Sequence, residues 1–259
     1  MKDASPLGTV GARRIAASQR LYHSHAEVYD QIYSWKDYEK DARRVHAIAE
    51  RYRRSAGKKL LDVACGTGHH IETLRRWYDC VGVDLSSEML SIARRRLPEI
   101  RFVRGDMRDL HLSDRFDIVT CLFSAIGYLR TYEALRRAIR TMVEHLKPGG
   151  VLLVEPFLRP GEWRSPSVHL QTYRSDDIVI ARVSRSTKRA PNIAIIDDHF
   201  MVGRSRRPVE RFESHHELAM FEPRPTLAIF RDAGVSVRYL SRGLMPGRGL
   251  YVGVRPSSR

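Results

Sequence analysis

Residue types that could bind a nucleoside recur at the ends of apolar runs in the first half of the chain. Asp62 lies within the first run, and Gly66 and Gly68 follow it closely. Glycine lets the backbone turn sharply and approach a ligand, because no Cβ obstructs the contact. Asp84 ends a second apolar run and Asp106 follows a third. A turn whose backbone can approach a ligand closely, followed by spaced carboxylates, provides the contacts that an adenosine requires.

The carboxylates can be given separate roles on that interpretation. We expect Asp84 to accept both ribose hydroxyls, since it ends a strand 22 residues after Asp62. We expect Asp106 to accept the adenine amino hydrogens while Met107 covers the ring. Residues 121–124 end a fourth apolar run and would face whatever group the bound nucleoside delivers.

A nicotinamide dinucleotide is the competing interpretation of the glycines. It requires Gly-x-Gly-x-x-Gly, so that a pyrophosphate can rest on the helix N-terminus. The third glycine would stand at position 71, which is Ile71. A sulfonium nucleoside carries no phosphate and does not need that approach. The pattern therefore favours S-adenosylmethionine, with 121–124 at the mouth where a methyl group would be delivered.

The elements that must position these residues alternate between strand and helix. Buried strands are predicted near 59–64, 80–85, 100–104, 116–123 and 151–155. Three helices are predicted between them from apolar residues at helical spacing. The first would bury Ile71, Leu74 and Trp77 or Tyr78, and the second would begin after Ser86 as its N-cap and bury Met89, Ile92 and Ala93. The third would bury Leu135, Ala138, Ile139, Met142 and Leu146. Such alternation predicts a doubly wound parallel sheet, which binds ligands beyond the carboxyl ends of its strands.

The second half of the chain follows a different pattern. Apolar residues alternate near 178–183, 192–202 and 209–221, which predicts three or four antiparallel strands. A short helix over 225–233 and a pair of strands at 235–240 and 249–255 complete the chain. The predicted organisation is a flexible leader (1–25), an α/β core (26–156), an antiparallel β insert over the active site (157–222), and a closing helix with the last two core strands (223–259).

Composition narrows the class of protein. The formal net charge is +15 with a pI near 10.2, and such a surface attracts phosphates, anionic lipids or nucleic acid. The basic residues are scattered along the chain, so the alternative is that they only cover the solvated surfaces of an arginine-rich protein. No run approaches the roughly 18 apolar residues of a membrane span. The three cysteines are too scattered for a disulfide framework, and no histidine pair has zinc-ligand company, so no metal is expected. A cytoplasmic protein is predicted.

Five motifs together resemble a known family. They are Asp-Val-Ala-Cys-Gly-Thr-Gly (62–68), Ser-x-Glu-Met-Leu-x-Ile-Ala-Arg-Arg-Arg (86–96), Gly-Asp-Met-Arg-Asp (105–109), Phe-Ser-x-Ile-Gly-Tyr-Leu (123–129) and Gly-Arg-Gly-Leu-Tyr-Val-Gly (247–253). The chain resembles the class I S-adenosylmethionine-dependent methyltransferases, and more narrowly the dTDP-aminosugar N,N-dimethyltransferases of the desosamine and mycaminose type. The first three motifs are widely shared among class I enzymes, whereas the last two and the insert point to the narrower group.

The resemblance implies a Rossmann-like class I fold with an insert after the fifth strand, and it implies roles for individual residues. The cofactor-binding set would be Tyr29, Asp62, Ala64, Gly66, Gly68, Asp84, Leu85, Met89, Gly105, Asp106, Met107 and Cys121. Tyr22 would close over the cofactor with Tyr29 and is a catalytic candidate. Tyr128, where some family members have histidine, would lie near the acceptor amine beside Ser124. Arg248 would hold the nucleotide-sugar diphosphate as a bidentate donor.

Two alternatives remain open from the sequence. One is a methyltransferase for RNA or for another small molecule. No aromatic-interleaved basic stripe supports a nucleic-acid partner, and none is expected. The other is a binding module that keeps the cofactor site without catalysis. The antiparallel edges of the insert could also pair two copies in a homodimer.

Overall fold

A computed structural model describes residues 20–22 and 24–257. They divide into two compact units, one formed by the described residues up to Lys36 with Arg164–Glu217, and the other by Asp37–Trp163 with the residues from Leu218 onward. The predicted leader lies mostly outside the described residues. The predicted core boundary at residue 26 differs from this division, because the segment up to Lys36 belongs to the unit that contains the insert.

Eleven strands and six α-helices make up the two units. The strands are β1 (Lys59–Val63), β2 (Asp79–Asp84), β3 (Arg101–Arg104), β4 (Phe116–Cys121), β5 (Leu146–Val154), β6 (Ser167–Arg174), β7 (Ile178–Arg189), β8 (Ile193–Arg204), β9 (Arg207–Ala219), β10 (Ser236–Leu240) and β11 (Leu250–Val254). The helices are α1 (Ala26–Ile32), α2 (Tyr38–Tyr52), α3 (His69–Leu74), α4 (Ser87–Arg96), α5 (Tyr132–Glu144) and α6 (Pro223–Asp232), and a 3₁₀ turn covers Ala125–Leu129.

The larger unit is built on a seven-stranded sheet in the order β10-β11-β5-β4-β1-β2-β3. β1 pairs in parallel with both β2 and β4, so the strand order reverses beside β1. Ligands bind outside the carboxyl ends of the strands at such a point. β11 runs antiparallel to β5, so the start of β11 lies at the same edge as the end of β5. The predicted doubly wound fold is confirmed.

Continuous burial explains why these strands form the centre. All six residues of β4 are buried, as expected for a strand covered by helices on both faces. α5 presents the predicted apolar stripe, with Leu135, Ala138, Ile139 and Met142 each 0% exposed. Full burial of one large aliphatic side chain contributes about 1.5–3 kcal/mol, so the stripe fixes α5 against the sheet.

Two predicted helix ends were wrong. Leu146 belongs to β5, where it pairs with Phe116, and not to the last turn of α5. His145 ends the helix because its Nδ1 donates to the Thr141 carbonyl (2.7 Å) and its Nε2 accepts from the Leu112 N–H (2.9 Å). α3 stops at Leu74, so Trp77 and Tyr78 follow the helix instead of extending its inner face.

The smaller unit contains a four-stranded antiparallel sheet in the order β6-β7-β8-β9, which confirms the insert. α1 packs within this unit. Its Val28 and Ile32 share an apolar cluster with residues from three of the strands: Ile178, Ile180, Phe200, Val202 and Phe212. These contacts explain why α1 groups with the insert and not with the parallel sheet.

Other features of the described residues bear on the class of protein. Cys65, Cys80 and Cys121 are buried free thiols. Within 20–22 and 24–257, no cluster of three or more His, Cys, Asp or Glu side chains is arranged to hold a metal ion. None of the helices in that part of the chain is long and apolar enough to cross a bilayer.

Candidate active site

The loop after β1 adopts backbone conformations that few residue types tolerate. Gly66 (φ 57°) and Gly68 (φ 84°) are left-handed, and so is Ala64 (φ 59°). Left-handed backbone costs a non-glycine residue about 1–3 kcal/mol and persists where the surroundings hold it. The Cys65 N–H donates to the Val83 carbonyl (2.9 Å), which ties the loop to β2. The loop is therefore held in one strained shape at the edge where ligands bind.

Asp62 lies inside the sheet immediately before this loop. Its side chain is buried, and Oδ1 accepts from the Thr120 hydroxyl of β4 (2.7 Å). Among the described residues, Oδ2 has no hydrogen-bond donor. Burial raises the pKa of Asp62 to about 7; the Thr120 bond opposes this shift and the neighbouring Asp84 charge adds to it. A buried acceptor of this kind suits a cationic donor from a ligand.

Asp84 braces the same loop from the end of β2. Its Oδ2 accepts from the Gly66 N–H (2.8 Å) and its Oδ1 from the Ser86 N–H (2.9 Å). Burial raises the pKa of Asp84, while the hydrogen bonds from Ser86 and Gly66 act in the opposite direction. Each carboxyl oxygen has two lone pairs, so both can accept a further hydrogen bond. Ser86 caps α4 as predicted, accepting from the Met89 N–H (3.2 Å).

The end of β3 completes this half of the edge. The Gly105 N–H donates to the Asp84 carbonyl (3.0 Å), so Asp106 lies just past the carboxyl ends of β2 and β3. The Asp106 carboxylate binds the Arg108 guanidinium, with Nε 3.0 Å from each oxygen, and this hydrogen bond lowers the pKa of Asp106. The sequence did not reveal this ion pair. The adenine-binding role of Asp106 stays a prediction. Leu85 is 60% exposed and Met107 is half-buried, so both can offer apolar surface.

A second strained segment follows β4. Phe123 (φ 51°) and Ser124 (φ 65°) are both left-handed although neither is glycine. The Ser124 hydroxyl donates to the Pro156 carbonyl (2.9 Å), just past the end of β5. Tyr128 lies in the 3₁₀ turn and is 39% exposed. Cys121, the last residue of β4, is fully buried below this segment.

Arg248 lies two residues before the start of β11 and so lies at the carboxyl edge of the sheet. Its guanidinium carbon is 5.6 Å from the centroid of the Phe123 ring and 5.5 Å from that of Phe157. Cation–π contacts of this kind orient a guanidinium. The loop is closed by the Arg248 N–H, which donates to the Met245 carbonyl (3.2 Å).

The strand ends therefore present two groups of residues. The chain that carries them is similar to known proteins. Residues 60–150 match a family described as a methyltransferase domain. The dTDP-3-amino-3,4,6-trideoxy-alpha-D-glucopyranose N,N-dimethyltransferase of Streptomyces venezuelae is 40% identical over 233 residues, which is 89% of this chain and 97% of that enzyme. The chain belongs to this family of S-adenosylmethionine-dependent methyltransferases.

Solved structures of family members agree with the fold. The Streptomyces venezuelae protein DesVI superposes with a TM-score of 0.84 at 38% identity, covering 89% of this chain and 98% of that one. The S-adenosylmethionine-bound amino pentose methyltransferase CalS10 of Micromonospora echinaspora gives a TM-score of 0.71 at 33% identity, with 98% and 99% covered. As a member of this family, the protein uses S-adenosylmethionine as its cofactor.

The residues of this methyltransferase fit that cofactor. The buried Asp62 oxygen can receive a donor, and the left-handed Gly66 leaves the backbone open to close approach. Asp84 can accept from a ribose diol. S-adenosylmethionine supplies a methyl group already activated by sulfonium. The residues at the ends of β1 to β3 would bind and orient that cofactor.

Sequence reasoning missed an aromatic cluster of the methyltransferase. The Tyr38 ring stacks on the His69 ring (4.5 Å between centroids, 14° between planes) and meets His70 edge-on at 5.0 Å. Phe123 lies 6.4 Å from the same tyrosine. Tyr38 begins α2 and His69 begins α3, so helix starts far apart in sequence meet here. No spacing pattern in the sequence marks Tyr38, because its partner lies about 30 residues away.

The predicted aromatic residues Tyr22 and Tyr29 belong to the smaller unit. Their rings lie 5.7 Å apart, and Tyr22 lies edge-on to the His216 ring at 5.7 Å. His216 is buried, which lowers its pKa to about 4, and its Nε2 is 2.8 Å from the Ser214 hydroxyl. The neighbouring His215 contacts Asp197 on the opposite side of the strand, as strand alternation predicts. Closure of Tyr22 and Tyr29 over the cofactor stays a prediction.

Proposed function

We propose that this methyltransferase transfers methyl groups from S-adenosylmethionine to the amine of a dTDP-activated aminosugar, in two successive reactions. The relative from Streptomyces venezuelae carries that activity in its name. The observation that carries the proposal is Arg248, whose guanidinium is held between two aromatic rings on the acceptor side of the edge. A planar guanidinium so placed suits a diphosphate.

The proposed mechanism depends on alignment more than on acid–base chemistry. The amine must attack as its neutral form, in line with the activated methyl group. Holding reactants in such geometry supplies up to about 7–11 kcal/mol in the best intramolecular cases. Tyr128 is exposed beside the strained segment after β4, and its hydroxyl can accept a hydrogen bond from the amine. The proton released after each transfer passes to water.

Turnover with a defined acceptor tests the proposal. Purified protein with labelled S-adenosylmethionine and dTDP-3-amino-3,6-dideoxyglucose should give a monomethylated and then a dimethylated product, resolved by mass spectrometry. The 4-amino positional isomer serves as the matched acceptor and establishes which amine is used. Efficient methylation of an unrelated amine, with neither nucleotide sugar accepted, would refute the substrate class and leave the methyltransferase assignment intact.

The net charge of +15 supports any phosphate-bearing acceptor, including RNA. Filter binding at rising salt distinguishes RNA from a nucleotide sugar as the acceptor, because RNA binding that neutralises several phosphates weakens steeply with salt. We expect no retained RNA at physiological salt. A cytoplasmic location stays a prediction, which fractionation of the host cell would test.

Cofactor affinity should depend on pH through Asp62. Its raised pKa of about 7 means that the carboxyl is protonated below neutrality in the free protein. A cationic ammonium group beside Oδ2 favours the ionised form, so binding releases a proton. We expect the affinity for S-adenosylhomocysteine to fall about tenfold per pH unit below 7 and to level off above it. Calorimetry in buffers of different ionisation enthalpy measures both the affinity and the proton released.

Asp62→Asn should separate binding from stability. The amide should abolish the pH dependence and weaken binding at pH 8. A carboxyl whose folded pKa is raised contributes stability that is present at acid pH and lost as pH rises through about 7. Between about pH 4 and 7, the wild type should therefore lose more unfolding free energy than Asp62→Asn, because the variant lacks the contribution of this carboxyl. Asp79→Asn, at the exposed start of β2, is the control. A wild-type affinity that stays flat from pH 5.5 to 8.5 would contradict the assignment.

We also propose that two copies associate through the outer face of the insert. Six apolar side chains on that face are more than two-fifths exposed: Val168, Leu170, Val179, Val183, Met201 and Val209. Leu170 and Val183 are register partners, as are Ala181 and Met201, so the patch is continuous across β6, β7 and β8. Contiguous exposed apolar patches mark interaction sites, and one patch can meet itself across a two-fold axis.

Charged substitutions should dissociate such a dimer. Leu170→Arg with Val183→Arg should convert a dimer to a monomer in sedimentation velocity, because each arginine would be buried without a partner at the interface. Ser91→Arg, exposed on α4, is the matched control and should remain dimeric. A wild type that sediments as a monomer at micromolar concentration would exclude this interface.

A further inference from the structure

Glu155 follows β5 and is completely buried at 0% exposure. Its N–H donates to the Cys121 carbonyl (2.9 Å), which extends the pairing of β4 with β5 one residue beyond the end of β5. Glu155 belongs neither to the proposed cofactor residues nor to the proposed acceptor residues. A buried acidic side chain is retained only when its oxygens are satisfied, so the groups that it binds indicate its purpose.

The two carboxyl oxygens of Glu155 bind two different loops. Oε2 accepts from the Phe123 N–H (2.8 Å), in the strained segment after β4. Oε1 accepts from the Met245 N–H (3.2 Å), in the loop before β11. These loops are more than 100 residues apart in the sequence. One side chain therefore connects the segment that carries Tyr128 to the segment that carries Arg248.

The same three segments surround the Arg248 guanidinium. Phe123, whose N–H is bound by Glu155, contributes one ring, and Phe157, two residues after Glu155, contributes the other. Met245, bound through its N–H, accepts from the Arg248 N–H through its carbonyl. These three contacts of Arg248 thus come from residues that Glu155 binds or that follow it closely in the chain.

Glu155 also stabilises strained backbone. Phe123 at φ 51° lies in the left-handed region, which is unfavourable for a residue with a Cβ. The hydrogen bond from its N–H to the buried Glu155 carboxyl group helps to hold this conformation. Loss of this bond would let Phe123 relax and would move its ring away from Arg248.

We propose that Glu155 is a positioning residue that couples the phosphate-binding guanidinium of Arg248 to the amine-facing loop of residues 122–130. The inference rests on the proposed function, since it assigns the nucleotide sugar to these loops. The side chain acts through backbone N–H groups and touches neither the cofactor nor the acceptor. It holds the diphosphate end and the amine end of one substrate at a fixed separation.

Glu155→Gln tests the proposal with minimal change in shape. A glutamine side chain has one acceptor oxygen, so it can satisfy one N–H while its own amide hydrogens face the other. We expect KM for the nucleotide sugar to rise about tenfold and kcat to fall severalfold. The Kd for S-adenosylhomocysteine should stay within twofold, because Asp62 and Asp84 lie on β1 and β2. Glu144→Gln, exposed at the end of α5, is the same substitution away from the site and should behave as wild type.

A double-mutant cycle distinguishes positioning from general loosening of the fold. If Glu155 acts through Arg248, Glu155→Gln should raise KM no further in an Arg248→Ala background. Additive effects in the cycle would overturn the proposal. Hydrogen exchange at the Phe123 and Met245 amides supplies a readout without turnover, and at least one of them should exchange faster in Glu155→Gln, because the glutamine oxygen can accept from only one. Unchanged exchange at both amides would also overturn it.

Two further observations keep the outcome interpretable. If Glu155→Gln does not fold, Glu155→Asp retains the charge but is one methylene shorter, and it should lose one of the two N–H contacts and give an intermediate KM. Absence of nucleotide-sugar turnover by the wild type would mean that the proposed function has failed. Turnover by the wild type with additive effects in the cycle would mean that only the coupling has failed.

Discussion

Asp84→Ala should weaken the binding of S-adenosylmethionine by about 100-fold or more. Hydrogen bonds to a charged group contribute about 1.5–3 kcal/mol each, and a ribose diol would form two of them with this carboxylate. Each 1.4 kcal/mol corresponds to a factor of ten in affinity. The substitution also removes the acceptors of the Gly66 and Ser86 N–H groups, so the glycine loop is no longer held in its binding conformation.

Calorimetric titration with S-adenosylhomocysteine measures this loss, and thermal unfolding shows whether the fold survives. The protein should remain folded, since both N–H groups lie at an edge where water can replace the lost acceptor. Asp79→Ala removes the same charge from the exposed start of β2 and should bind normally. An Asp84→Ala protein that binds within threefold of the wild type would remove Asp84 from the cofactor site.

Arg248→Ala should raise KM for the nucleotide sugar by about 30- to 100-fold and leave the cofactor Kd unchanged. The guanidinium is half-buried between the rings of Phe123 and Phe157, so its orientation is fixed before the substrate arrives. Charge-assisted bidentate bonds to a diphosphate are among the strongest that a side chain forms. Arg248→Lys keeps the charge without the planar fork and should recover only part of the loss.

Steady-state kinetics with each substrate varied in turn distinguishes an effect on the nucleotide sugar from an effect on the cofactor. Arg242→Ala is the matched control, because it removes one charge from an exposed position in the same loop. If Arg248→Ala weakens cofactor binding as much as Asp84→Ala does, the two residues do not serve different ligands. Equal KM values for Arg248→Ala and Arg242→Ala would show that only net charge matters.

Local patterns were sufficient to predict most of the fold. The strands of the parallel sheet were predicted from buried apolar runs, and α5 from a five-residue stripe, of which the four residues that lie on the helix are fully buried. The errors occurred where one side chain decided the end of a helix. His145 ends α5 through hydrogen bonds to Thr141 and to the distant Leu112, and no helical periodicity contains that information. Prediction therefore failed where a tertiary contact replaced local preference.

The candidate site was predictable where a motif is contiguous. Asp62 and Asp84 stand before the glycine loop and at the end of β2, as predicted, and the Gly66 N–H connects that loop to Asp84. Glu155 carried no signal, because it acquires its role only when β5 brings it between two loops. The pairing of Asp106 with Arg108 was also missed, since spacing does not indicate which of several nearby arginines a carboxylate binds.

The reversal of strand order beside β1 has an evolutionary consequence. On one side of that point, β1 to β3 lead into most of the proposed cofactor residues, while the proposed acceptor residues on the other side follow β4 or precede β11. Because the two sets meet only at this boundary, mutations in the loops after β4 and before β11 can change the preferred sugar without altering methyl-donor binding. Chimeras that exchange only those loops between family members should thus inherit the acceptor range of the loop donor.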